Sequence, residues 1–135
     1  MTSEFVVDTS AVIAILNGES GSDELSKCIM LAAKKYMSTL SLLEASLVAS
    51  AQKGEAGYLA LESLLRKMDL TMMDLSVEQV ELVQQAWMQF GESRHPAKLN
   101  LGDTGAYALA KQLGLPILCV GNDFAQTDIK IVKFR

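Results

Sequence analysis

The stretch Phe5–Leu16, FVVDTSAVIAIL, decides the fold class. Its opening residues Phe5, Val6 and Val7 make an apolar run too short for a helix, so they read as a buried strand that stops at Asp8. Thr9 and Ser10 are candidate N-caps for a helix running through Ala14 and Leu16. Strand, turn and helix thus follow one another without a spacer. The alternation continues downstream. Ser22 is placed to cap a second helix with Leu25, Cys28, Ile29 and Ala32 on one face, and Lys34 and Lys35 suit its C-terminal end. Tyr36–Thr39 is a short β-prone run before a helix expected from Ser41, with Gly54 and Gly57 as breaks ahead of another helical stretch to about Met68. Leu70–Leu75 reads as a strand, and Ser76 with Gln79 as a capping box for the helix carrying Val80, Val83, Trp87 and Phe90. Asn100 is expected to cap a helix over Leu101–Leu113 that Gly114 ends, followed by a strand in Pro116–Val120 and an edge strand near Lys130–Phe134. Strands alternating with helices predict an α/β fold: a three-layer α/β/α domain over residues 1–135 with a central, mainly parallel sheet.

Composition narrows the class further. A chain of 135 residues, half of them hydrophobic, can bury a core without disulfides or a structural metal. Apolar runs break well short of the roughly 18 to 20 residues needed to cross a bilayer, and Met1–Val7 lacks a basic start, so no membrane span or signal peptide is expected. A cytoplasmic protein follows as the expectation. Cys28 and Cys119 lie far apart in apolar surroundings and read as free buried thiols rather than zinc ligands. The net charge of −4 does not advertise a nucleic-acid binder, so an RNA substrate would need local features that overcome the overall repulsion.

Four acids stand where a parallel sheet collects its ligands, at strand ends and helix starts on one rim. Asp8 ends the first strand, Asp123 follows the strand that contains Leu118–Val120, Asp103 opens a helix in LNLGD, and Glu44 lies in SLLEA in the first turn of its helix. Carboxylates gathered there repel one another unless a divalent cation neutralises them, and all-oxygen ligation suits Mg²⁺ or Mn²⁺. Three of the acids have ready structural readings as well, and Asp8 is the hardest to explain that way. Glu44 follows Ser41 at capping-box spacing, Asp103 can serve its helix N-terminus, and Asp123 can be a turn residue.

FVVDTSAVIAIL, SLLEAS and RHPAKLNLGDTGAYALAKQLGLPILCVGNDFAQTDI, in that order, resemble a VapC-type PIN domain over essentially the whole chain. That family comprises ribonuclease toxins of prokaryotic toxin–antitoxin systems. The resemblance implies metal-dependent hydrolysis of RNA phosphodiesters, with the family's acidic set falling on Asp8, Glu44, Asp103 and Asp123; Asp8, Asp103 and Asp123 are the expected metal ligands for Mg²⁺ or Mn²⁺, one ion or two. It also implies a cognate VapB-type antitoxin and a homodimer; the acidic pI near 4.9 suits a basic peptide partner. Two positions depart from the pattern. Asn122 stands where many similar sequences carry a second acid before Phe124, and Thr104 stands where a Cys or smaller residue is common.

Ser10 is expected to support Asp8 by hydrogen bonding, or else only to cap its helix, and Thr127, with Asp128, to shape the closing turn. Arg94, with Lys98 nearby, is the candidate phosphate contact, since a guanidinium matches phosphate oxygens in a bidentate way. His95 before Pro96 reads as structural. Three rival readings fit these residues less well. A haloacid-dehalogenase-type phosphatase needs D-x-D, and Ser10 occupies the second position. A phospho-receiver needs a late strand ending in Lys, whereas this one ends at Val120 and Gly121. The remaining rival is a catalytically inactive PIN-like module that binds RNA or protein.

Overall fold

A computed structural model describes residues 3–91 and 95–134. Its elements are β1 (Glu4–Val7), α1 (Thr9–Leu16), α2 (Ser22–Leu31), β2 (Lys34–Ser38), α3 (Thr39–Met68), β3 (Thr71–Met73), α4 (Val77–Phe90), α5 (Leu101–Leu113) and β4 (Ile117–Leu118), then a 3-10 turn at Phe124–Gln126. The strands form one parallel sheet in the order β3-β2-β1-β4.

Strand alternation makes the layers, because successive side chains leave a strand on opposite faces. Phe5 and Val7 of β1 and Leu118 of β4 pack with Ala11, Val12, Leu25, Ile29, Ala45 and Leu61 from α1, α2 and α3. Val6, Ile117 and Cys119 enter the opposite core with Ala86, Phe90, Ala106 and Leu109 from α4 and α5. The expected α/β/α sandwich is therefore present, and β1 is buried on both faces. No helix of the described residues is long and apolar enough to cross a membrane.

Several local expectations change. The cap of α1 is Asp8 itself rather than Thr9 or Ser10. Ser22 caps nothing, because α2 starts from Gly21 in a left-handed conformation (φ 88°) with no side-chain cap. Lys35 belongs to β2, yet its Nζ still reaches back to the Ile29 carbonyl at 2.9 Å near the end of α2. The cap of α3 is Ser38, whose hydroxyl accepts from Leu40 N at 3.2 Å; since β2 runs straight into the helix, Ser41 falls inside the first turn and the Ser41–Glu44 box does not form. Half of the Ser76–Gln79 box exists: Ser76 accepts from Gln79 N, but the Gln79 amide donates to Gln112 at 2.6 Å. The tail makes a single bridge, Ile131 to Ile117, in place of an edge strand. Cys28 is half-buried and Cys119 buried, and both are free.

The expected break at Gly54 is a kink inside α3, where Lys53 and Gly54 leave helical geometry and Gly54 adopts φ 59°, ψ −145°. That region is essentially closed to residues with a Cβ. Gly57, back in helical geometry, packs where a Cβ would collide with the Ala49 carbonyl. Gly54→Ala is therefore expected to cost about 1–3 kcal/mol by urea unfolding although the space around it is open; an unchanged midpoint would contradict this account of the kink.

Candidate active site at the carboxyl ends of the strands

β1 and β4 are neighbours and end together. The Asp8 N–H donates to the Leu118 carbonyl at 3.0 Å, and Val120 N donates to the Ser10 hydroxyl at 2.9 Å. These bonds clamp the start of α1 against the end of β4. Asp8 is 2% exposed. Its Oδ2 accepts from Ser10 N at 3.0 Å, whereas Oδ1 is buried and has no hydrogen-bond partner. Burial pushes the Asp8 carboxyl up to about 6, with hydrogen bonds from Ser10 opposing the rise and the charge of Glu44 adding to it. Ser10 thus both supports Asp8 and joins the two strand ends.

Asp103 arrives from the other core. In the first turn of α5 it forms a complete capping box, with Asp103 N donating to Asn100 Oδ1 at 2.9 Å and Asn100 N donating to Asp103 Oδ2 at 3.0 Å. The structural role foreseen for Asp103 is real, but it does not exhaust the residue. Asp103 is 7% exposed, and burial, together with the charges of Asp8, Asp123 and Glu44, pushes its carboxyl up to about 7 against the Asn100 hydrogen bond. Asp123 is exposed at the head of the 3-10 turn, near enough to act electrostatically on Asp103 and on Cys119. Burial and the charges of Asp8, Asp103 and Asp123 push the Cys119 thiol up to about 12, so it is inert beside the acids.

Glu44 sits one turn later in α3 than expected, because the helix begins at Thr39. It is half-buried, and its carboxylate lies against Gly102, the residue before Asp103. A further tie runs from the Thr9 hydroxyl to the Ser41 carbonyl at 2.9 Å, joining α1 to the start of α3. All four acids are therefore brought to one rim, where they feel one another's charge. As the side chains stand, no group of three or more His, Cys, Asp or Glu among the described residues is arranged to hold a metal ion.

The other foreseen residues have local roles where the structure describes them. Arg94 is outside the described residues. Lys98 is exposed at positive φ (53°) and closes a turn by donating its N–H to the His95 carbonyl at 3.0 Å. His95 is structural, as expected: its Nδ1 accepts from Ala97 N at 2.9 Å and its ring meets Phe90 edge-on at 5.0 Å. Thr127 closes the 3-10 turn through its hydroxyl, which donates to the Phe124 carbonyl at 2.8 Å and accepts from Ile129 N. Asp128 is held by Tyr107 and Lys111. The residue missed was Gly102. Its only signal was a poor helix former within a helix's first turn.

A model of the PIN domain matches residues 5–130. The chain belongs to the PIN-domain family. Among curated relatives, ribonuclease VapC30 of Mycobacterium tuberculosis is 36% identical over 127 residues, covering 94% of this chain and 97% of that protein. Ribonuclease VapC of Mycolicibacterium smegmatis is 35% identical, covering 94% and 98%. Among solved structures, the fold is similar to that of M. tuberculosis VapC20, a sarcin-ricin loop cleaving toxin, with TM-score 0.77 and 14% identity over 95% of this chain and 98% of that one. It is also similar to a chain of VapBC2 from Rickettsia felis, solved with a DNA fragment from its promoter, with TM-score 0.76 and 15% identity over 96% and 97%. This PIN domain is of the VapC ribonuclease type.

The raised acids give a signed expectation for the metal-free PIN domain. Between the ordinary carboxyl value near 3.8 and the folded values of about 6 and 7, the folded state binds more protons than the unfolded state, so stability falls as pH rises through that window. Asp8→Asn keeps a side chain able to cap α1 and removes the buried charge. In chelator, the variant is expected to melt above wild type at pH 8, with the gap shrinking towards pH 4; equal melting curves across that range would contradict the shift at Asp8.

Proposed function

We propose that this PIN domain is a Mg²⁺- or Mn²⁺-dependent endoribonuclease, the toxin of a VapBC-type pair, that hydrolyses RNA phosphodiester bonds. The observation that carries the reading is the buried Asp8 carboxylate with an unpartnered Oδ1, at a rim shared with Asp103, Glu44 and Asp123. An apolar residue at the end of β1 would cost less than a lone buried charge, and an oxygen left bare in this position suits a hard cation. Asp8, Asp103 and Asp123 would hold the ion, and Glu44 would complete the acidic set. A divalent cation at such a site supplies Lewis-acid chemistry, acidifying a water and offsetting charge on the attacked phosphate.

The chain's own residues prepare that chemistry. Ser10 fixes the Asp8 rotamer through Oδ2, and Asn100 fixes Asp103 through one carboxylate oxygen. Neither clamp uses Asp8 Oδ1. The helix start behind Asp103 favours negative charge on it once a cation offsets its neighbours. Arg94 and Lys98 remain candidates for phosphate contact, and Thr127 for support of the turn behind Asp123. No protein nucleophile is required, and Cys119, the thiol nearest in electrostatic terms, is held protonated.

A VapB-type antitoxin, a homodimer and a cytoplasmic setting belong to the same reading. An apolar groove of about 430 Å³ between α4 and the head of α5, lined by Val83, Trp87, Met88 and Leu101, offers surface that a bound partner would cover. The direct test uses purified, partner-free protein on a pool of structured RNA with Mg²⁺, Mn²⁺ or EDTA, beside Asp8→Asn and Asp103→Asn. Cleavage is expected only with metal, and each variant is expected to lose at least about 100-fold while staying folded. Undiminished cleavage by either variant would sink the metal mechanism; no cleavage by folded wild type would favour the binding-only PIN module.

A further inference from the structure

Helices α3 and α5 meet through the glycine edge of α5. Gly105 lies on Leu40, and one turn away Gly102 lies on Glu44. A Cβ built on Gly105 would stand 2.9–3.2 Å from three atoms of the Leu40 side chain, closer than a Cβ normally sits, so Leu40 would have to shift. A Cβ at position 102 would overlap far more severely, falling on all three atoms of the Glu44 carboxyl group. The collision is with the far end of a flexible side chain, so the helices need not part. The carboxylate must move.

Resting on the nuclease reading above, we infer that Gly102 is a positioning residue. Its missing side chain is the space that holds the Glu44 carboxylate beside Asp103. Backbone conformation does not call for glycine at position 102: its φ is not positive, and alanine is the better helix former in the first turn of α5. The choice of glycine sets aside helix propensity in favour of placing a charge on the site. Glu44 itself comes from a helix whose start is pinned by Ser38 and by the Thr9–Ser41 bond, and Gly102 leaves its carboxylate the room it occupies.

The test is a double-mutant cycle of Gly102→Ala and Glu44→Gln, read by Mn²⁺ titration calorimetry, RNA cleavage rate and melting temperature. Gly102→Ala is expected to keep or raise the melting temperature while lowering cleavage and Mn²⁺ affinity at least about tenfold, the scale on which support of a metal ligand matters. In the Glu44→Gln background, Gly102→Ala is expected to add no further loss, because its whole effect passes through Glu44. A crystal structure of Gly102→Ala should show the Glu44 carboxylate displaced. If wild type binds Mn²⁺ and cleaves RNA but Gly102→Ala matches it, or the two losses multiply, or Glu44 stays in place, this inference is overturned and the nuclease reading stands. If wild type neither binds Mn²⁺ nor cleaves RNA, both fall.

Discussion

The structure turns on a carboxylate buried where a strand stops. Asp8 follows three residues of β1 that are fully enclosed, and its own N–H is spent on the neighbouring strand at Leu118. A charged group so placed is tolerable only if something compensates for lost hydration. The chain compensates one oxygen with Ser10 N and leaves the other bare. The neighbouring charges make matters worse rather than better, since Asp103, Glu44 and Asp123 are all acidic. In a fold free to choose, such a rim would be neutralised by basic or apolar substitution. That the rim nonetheless carries four acids is the physical content of the nuclease reading.

The scaffold brings these acids together with small, ordinary devices. The parallel order β3-β2-β1-β4 sets β1 and β4 side by side, so Asp8 and the turn bearing Asp123 emerge at the same edge. The two cores then deliver one helix each: α3 carries Glu44 from the face shared by Phe5 and Val7, and α5 carries Asp103 from the face of Val6. Each carboxylate is held by a device that also serves the fold. Asp8 caps α1, Asp103 completes the box with Asn100, and Glu44 fills the space over Gly102.

This double duty explains how far the sequence could be read. The three-letter run of Phe5, Val6 and Val7 ending at Asp8, and the N-x-x-D spacing of Asn100 and Asp103, signal local geometry directly, so the strand, the helix start and two of the acids were legible. Convergence of the four acids was legible too, because parallel topology alone predicts it. The caps of α1, α2 and α3 were not: Thr9, Ser10, Ser22 and Ser41 all have suitable chemistry, and the choice among them depends on where the preceding strand or turn lets go of the backbone. Ser41 lost its role to Ser38 for that reason, which moved Glu44 one turn into its helix. Gly102 carries only a faint signal, a poor helix former in a first turn, because the side chain it packs on lies 58 positions earlier in the chain, across a helix interface. Lys98, a phosphate candidate for its charge beside Arg94, also closes a local turn with His95, a backbone role that charge patterning does not reveal.

On the proposed nuclease reading, the protons held by Asp8 and Asp103 occupy the place of a divalent cation. Calorimetric titration of Mn²⁺ into the wild-type protein at pH 5 and at pH 8, in buffers of different ionisation enthalpy, tests it directly. The account requires binding that tightens from pH 5 to pH 8 and releases protons at the lower pH, as carboxyls raised to about 6 and about 7 must lose them to ligate. Binding that is equally tight at both pH values with no proton release, or no binding at pH 8, would contradict it.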